Sequence, residues 1–450
     1  MSNRDSCKNV VLISLDDSVA YWRYKTAFRE ELITPNLDRI CAESTVFDSA
    51  YCQAPLCGPS RTSFMTGKTP HQTGVFINRD SNFTKVSPEE TWSHRLKQAG
   101  FFCSSGGKIH HKYAPLARPV HRILYSDGRK SFPNDMQFVG DVARRKFGGH
   151  RGGWGTTDPQ DDNTFYDAHS ANSAISFFES YDDERPFYRE IGFYGPHGPH
   201  YTPARFKEMY DVENFRQPES WKDGFDPDPY ADAHLQKTEQ LEQGDQRWWR
   251  QSVRNYFSAL SHVDHHLGRV WDALKSSRHA DNTLVVILSD HGFHLGNRDR
   301  FTKKTLWEQV ANVPLVVHQP GVTKGTTISD PVALLDVGPT ILDYTGLGGI
   351  ENGMGMSLRP RIEGAGPAAD RAIPTCHGDE FSIRKGNYRL IRYQDGSTQL
   401  YDVEADYWQQ RNLGVGHPAH APMLEALVAC AEASGFTGLR TAARPAPKVA

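Results

Sequence analysis

Residues 9–15 (NVVLISL) and 283–288 (TLVVIL) form apolar, β-branched runs with no alternation of polar positions. Such runs belong to strands covered on both faces of a largely parallel sheet. Each ends in carboxylates, Asp16-Asp17 after the first and Asp290 after the second. Ligands of open α/β sheets bind at the carboxyl ends of the strands, so the two acidic ends predict one shared site. Residues 187–193 are a further buried-strand candidate, and 35–43, 91–99 and 254–274 carry helical patterns. The alternation predicts an α/β fold.

Two segments interrupt it, the glycine-rich 147–155 and the polar, Pro-, Asp- and Gln-rich 217–247. Both are expected as surface excursions of the kind that cover substrates. Beyond residue 369 the texture shortens to FSIRKGNYRLIRY and STQLYDVEAD, separated by Asp395-Gly396, which predicts an antiparallel hairpin. The expected organisation is a catalytic domain over 1–368 and a smaller C-terminal subdomain over 369–450. The Ala- and Pro-rich residues 441–450 read as a frayed end.

Composition narrows the class of protein. With 450 residues, 38% hydrophobic, the chain can bury a large core, as a folded enzyme would. Fifty-one basic residues balance 54 acidic ones and no long basic run occurs, which argues against nucleic acid as a partner. The first apolar run is far shorter than the ~20 residues of a membrane span or a secretory leader, so a cytoplasmic protein without a membrane partner is expected. Seven irregularly spaced cysteines point to reduced thiols rather than a disulfide framework or a zinc site.

Asp16-Asp17 together with Asp290-His291 offers an oxygen-rich donor set suited to Ca²⁺ or Mg²⁺, while the imidazole also admits Mn²⁺ or Zn²⁺. Capping of a following helix is the alternative role for such carboxylates. In Cys57-Gly-Pro-Ser-Arg61, Pro59 and Ser60 suit a helix start, placing Cys57 where free N–H groups favour an anion. Arg61, one turn in, adds a guanidinium fork matched to tetrahedral oxyanions.

Cys57-Gly-Pro-Ser-Arg61, followed by Thr66-Gly67, resembles the signature of the sulfatase family of the alkaline phosphatase superfamily. The resemblance continues through Thr34-Pro35-Asn36-Leu37-Asp38, Gly107-Lys108-Ile109-His110, Pro196-His197-Gly198-Pro199 and Leu400-Tyr401-Asp402-Val403-Glu404. It implies a large mixed, mostly parallel sheet flanked by helices, and a C-terminal α+β subdomain containing an antiparallel sheet. It also implies that Cys57 is converted to formylglycine by a formylglycine-generating enzyme, and that one divalent metal, Ca²⁺ before Mg²⁺ or Mn²⁺, lies among Asp16, Asp17, Cys57, Asp290 and His291.

By the same resemblance Arg61, Lys108 and Lys303 neutralise the sulfuryl oxygens and His197 lies near the ester oxygen. Either His110 or His111 meets the formylglycine, and His110 is preferred. The implied reaction is hydrolysis of a small-molecule sulfate ester, a sugar sulfate first and choline or alkyl sulfate next. Asp290-His291-Gly292 resembles the iduronate-2-sulfatase-like and choline-sulfatase-like branches, and leaves a phosphonate monoester or phosphodiester hydrolase as the alternative. A non-catalytic anion- or metal-binding scaffold would be expected to have lost the Cys, the carboxylates or Arg61, and none is lost. Trp307, Glu308, Arg300 and Arg79 adjoin the motifs and are pocket candidates. The sequence leaves oligomeric state open, a homo-oligomer included.

Overall fold

The computed structural model describes residues 7–133, 144–157, 159–351, 353–366, 370–436 and 438. The expected 368/369 boundary and the expected frayed end at 441–450 lie outside them. The main sheet contains β1 (Asn9–Asp16), β2 (Thr45–Phe47), β3 (Phe102–Gly107), β4 (Phe187–Pro196), β5 (Thr283–Ser289), β6 (Leu315–His318) and β7 (Thr326–Ile328). Their order across the sheet is β7-β2-β6-β5-β1-β4-β3. β5, β1, β4 and β3 are mutually parallel, and β6 runs antiparallel to both its neighbours. The mixed, mostly parallel α/β architecture is therefore as expected.

The period-two geometry of β1 shows why its sequence has no polar alternation. Val11, Ile13 and Leu15 enter one apolar cluster, Val10 and Leu12 the cluster on the opposite face. The first face is covered by α4 (Tyr166–Ser180) and α5 (Gln246–Ser276), the second by α2 (Cys57–Thr66) and α3 (Trp92–Gln98), with α1 (Pro35–Ala42) packed on α5.

Helix α5 begins eight residues before the predicted start. Asp245 caps it through Trp248 N–H at 2.9 Å, and Trp249 and Val253 are buried, which the Arg- and Gln-rich first turns conceal in the sequence. The segment 217–247 is likewise no free excursion. It folds into short helices, buries Trp221 and Ala231, and accepts the Tyr393 hydroxyl at Asp228 Oδ2, 2.7 Å away.

The C-terminal region is a four-stranded antiparallel sheet, β8 (Ile373–His377), β9 (Glu380–Lys385), β10 (Tyr388–Arg392) and β11 (Thr398–Asp402), covered by α6 (His420–Ala433). FSIRKGNYRLIRY is itself a two-stranded hairpin, β9 to β10, and the Asp395-Gly396 turn joins β10 to β11. Of the pocket candidates, Glu308 is buried between Arg389 Nε (2.7 Å) and Tyr51 OH (2.6 Å). Trp307 is buried, and Arg300 donates to the Ala231 carbonyl at 3.1 Å. These three hold the C-terminal sheet and the 217–247 segment against the main body, and Arg79 is exposed on the surface. Among the described residues, no helix is long and apolar enough to cross a membrane.

Candidate active site

Parallel register brings the motifs to one place. Ser14 of β1 pairs with Gly192 of β4, Leu15 with Ser289 of β5, and Gly107 of β3 also with Gly192. The carboxyl ends of four adjacent strands are thus level, and Asp16-Asp17, Lys108, His197 and Asp290-His291 leave the same edge. Helix α2 delivers Cys57 from the second face.

Cys57 is the first residue of α2 and fully buried. Its Sγ lies 3.1 Å from Lys303 Nζ, 3.3 Å from His291 Nε2 and 4.0 Å from Asp17 Oδ1. Burial pushes the thiol up to about 12, with the Lys303 ammonium opposing the shift. The adjoining Gly58 N–H is held by Asn78 Oδ1 at 2.9 Å.

Asp17 adopts a left-handed φ of 64°, uncommon for a non-glycine residue. Tyr256 of α5, donating to its carbonyl at 2.6 Å and accepting from Val19 N–H at 2.9 Å, holds it there. The Asp17 carboxylate receives Lys303 Nζ at 2.6 Å and lies 3.3 Å from His291 Nε2 and 3.9 Å from His197 Nε2. For Lys303, burial favours the neutral amine, but Asp17, Cys57 and Asp290 more than offset it and keep the ammonium charged.

Asp290 accepts Arg61 Nε at 2.8 Å. Burial alone would raise its carboxyl, yet Arg61 and His291 hold it well below the ordinary carboxylate range. Arg61 also donates to Ser14 Oγ (3.0 Å) and to the carbonyls of Lys108 (2.6 Å), Ile109 (2.9 Å) and Leu15 (3.2 Å). These bonds hold Asp290 and the strand ends in place.

Asp16 Oδ2 touches the Lys108 ammonium, while its buried Oδ1, 3.8 Å from Arg61 Nη2, accepts no hydrogen bond among the described residues. Two overlapping sets of donor atoms lie within 4.8 Å of one another: Asp16, Asp17, Cys57 and His197, and Asp16, Cys57, Asp290 and His291. Three converging buried carboxylates, with one oxygen of Asp16 left without a donor, fit a hard divalent cation. His291 Nδ1 lies 2.9 Å from the Gly292 carbonyl, which requires the proton on Nδ1 and leaves Nε2 free to ligate.

The two adjacent histidines separate clearly. His110 Nε2 lies 3.1 Å from Tyr125 OH, which in turn bonds the buried Glu190. Burial, then Lys108, Arg61 and Lys303, pushes His111 down to about 4, and its Nδ1 is buried without a hydrogen-bond partner among the described residues. His110 is depressed to about 3 by burial and Arg61 alone. His110 is thus tied to Tyr125, whereas Nδ1 of His111 is bonded to no described residue. His197 Nδ1 lies 2.6 Å from the Gly198 carbonyl and 2.7 Å from Tyr194 OH, leaving Nε2 toward Asp17. Lys108 is buried under the Tyr194 ring at 4.9 Å, and desolvation brings its ammonium down to about 7.

Sequence reasoning missed Tyr256, Asn78, Tyr194 and Asp167. Asp167 accepts the backbone N–H groups of Tyr194 (2.5 Å) and Gly195 (2.9 Å), and so shapes the strand end that carries His197. None of the four belongs to a recognisable motif; Tyr256, Asn78 and Asp167 act from other elements, and Tyr194 acts from just before the His197 motif.

The sulfatase family profile matches residues 8–347, and the profile for the C-terminal part of N-sulphoglucosamine sulphohydrolase matches residues 296–429. A sulfatase of Formosa agariphila is 31% identical over 417 residues, covering 88% of this chain and 81% of the relative. The choline-sulfatase of Rhizobium meliloti is 28% identical over 410 residues, 85% of this chain and 78% of its own. Among solved structures, one determined in complex with its substrate D-glucosamine-2-N,6-O-disulfate superposes with a TM-score of 0.73 at 22% identity, covering 95% of this chain and 98% of that one.

Proposed function

Because the chain belongs to the sulfatase family of sulfuric ester hydrolases, we propose that it cleaves a small sugar sulfate at position 57 after that cysteine becomes formylglycine. The observation that carries this reading is the seat of Cys57, at a helix N-terminus with its Sγ within 4.0 Å of Lys303, His291 and Asp17.

When present, a divalent cation would supply Lewis acidity at the sulfuryl oxygens, and formylglycine a hydroxyl nucleophile that a thiol raised to about 12 does not provide. Asp16, Asp17, Asp290 and His291, with position 57, would hold the cation, and the oxygen-rich set favours Ca²⁺. Conversion requires a formylglycine-generating enzyme as maturation partner.

Lys303 and Lys108 flank the centre and neutralise charge that grows on the sulfuryl oxygens. Lys303, kept charged by Asp17, delivers a proton to the departing alcohol oxygen, while His197, its proton held on Nδ1 by the Gly198 carbonyl, presents Nε2 beside it. His111, neutral at pH 7, takes the hydroxyl proton. Arg61 keeps Asp290 ionised and oriented. The match of residues 296–429 to a profile named for N-sulphoglucosamine sulphohydrolase supports a sugar as the group that carries the sulfate.

The test has two arms. Mass spectrometry of the Cys57 peptide is expected to show an aldehyde or its hydrate. A panel of sugar, choline, alkyl and aryl sulfates with a phenyl phosphonate ester is expected to give the highest kcat/KM on a sugar sulfate. An unmodified thiol in fully active protein sinks the formylglycine assignment, and a preference for the phosphonate ester sinks the substrate assignment.

A further inference from the structure

The glycine-rich segment that breaks the sequence pattern carries an arginine that the reaction above does not use. Arg151 sits at φ 50°, ψ 27°, in the left-handed region, between Gly149 and Gly152, themselves at positive φ. The segment is pinned to α5. His150 N–H donates to Ser252 Oγ at 2.7 Å, Asn255 Nδ2 to the Gly148 carbonyl at 2.7 Å, and Arg254 Nη2 to the Phe147 carbonyl at 3.0 Å. A Cβ on Gly153 would stand 2.1 Å from Asn255 Nδ2, so only glycine lets the loop press this close. His150 packs against Phe301 at 5.1 Å. The strain at Arg151 is thus held by a fixed scaffold, as strain at binding sites commonly is.

What the strain achieves is the placement of a guanidinium. Arg151 Nη1 donates to the Gly198 carbonyl at 3.0 Å, the same oxygen that lies 2.6 Å from His197 Nδ1 and accepts Tyr194 OH at 2.7 Å. Arg151 therefore stands beside the His197 loop, bonded to the carbonyl at the Nδ1 edge of the imidazole. It is exposed, and among the described residues it has no carboxylate partner and its Nε and Nη2 donate to no protein atom. One bond fixes the fork and the rest of it is open, an arrangement suited to a carboxylate or sulfate.

We propose that Arg151 determines specificity by binding a second anionic group, a carboxylate or a further sulfate, carried by the sugar next to the scissile ester. The same charge repels a cationic alcohol such as choline. This rests on the sulfatase reading and narrows it to anionic sugar sulfates.

The test compares kcat/KM for two sugar sulfates that differ only in a neighbouring carboxylate or sulfate, with choline sulfate as a third substrate, in the full-length protein and in R151A, R151K and R151E. The ratio of anionic to neutral substrate is expected to fall about 10- to 100-fold in R151A. R151K is expected to keep most of that ratio, and R151E to improve choline sulfate relative to the anionic sugar. A ratio unchanged in R151A, whatever the absolute loss, overturns the proposal, because a residue that merely orients His197 slows every ester alike. Should the wild-type chain cleave no sulfate ester, the sulfatase reading falls on its own. Dissociation constants of the same two sugars for Cys57→Ala protein, with and without R151A, then decide Arg151 by the same ratio.

Discussion

Lys303 Nζ lies 3.1 Å from Cys57 Sγ, although 246 positions separate the two residues. The same ammonium bonds Asp17 at 2.6 Å, so one cation is shared between the nucleophile position and a carboxylate of the candidate metal site. Replacing it removes charge where the transition state develops it. Lys303→Ala is expected to lower kcat on a sulfate ester by about 100- to 1000-fold with a smaller change in KM. Steady-state kinetics check this, and a change confined to KM counts against the assigned role.

The adjacent histidines give an unequal pair. His111→Asn is expected to reduce kcat more than His110→Asn, because Nδ1 of His111 is bonded to no described residue, whereas His110 is tied to Tyr125 and through it to Glu190. Parallel kinetics of the two variants decide it, and a larger loss in the His110 variant restores the order expected from sequence.

Removing divalent cations is expected to abolish activity and to lower the thermal midpoint. Binding to the folded state alone stabilises by about 2.7 kcal/mol when free ligand is a hundredfold above Kd. Calorimetry of chelated protein titrated with Ca²⁺, Mg²⁺ and Mn²⁺ reads the preference, and Asp16→Asn is expected to weaken the response. An equal midpoint with and without every cation speaks against the site.

Glu190 predicts a pH effect on stability. Burial pushes its carboxyl up to about 7 from an ordinary 4.5, with the Tyr125 and Tyr188 hydroxyls opposing the shift. The folded protein therefore holds this proton more tightly than the unfolded chain. Its contribution is fully present below pH 4.5 and is lost as pH rises through 7. Glu190→Gln, which does not titrate, is expected to gain on the wild type across that window, by on the order of 3 kcal/mol at the alkaline end. Denaturant melts at pH 5 and pH 8 measure it, and a difference independent of pH refutes the mechanism.

Much of the fold could be read along the chain because local rules acted on it directly. The unbroken apolar runs became β1 and β5, and the Pro-Ser helix start became α2, since strands buried on both faces and helix termini leave marks within a few residues. The early start of α5 and the burial of 217–247 were hidden because polar residues there cover or cap apolar ones that pack on distant segments.

The sequence by itself determined the family and the reaction class, because the signature residues sit together in short contiguous motifs. Only the tertiary structure decided which of them meet. Level parallel strands bring Asp16, Lys108, His197 and Asp290 to one edge, Arg61 anchors Asp290 and backbone carbonyls, His110 bonds Tyr125 while Nδ1 of His111 meets no described residue, and a strained loop sets Arg151 beside His197. Side-chain direction and hydrogen-bond saturation depend on packing between segments far apart in the chain, and no pattern along one segment encodes them.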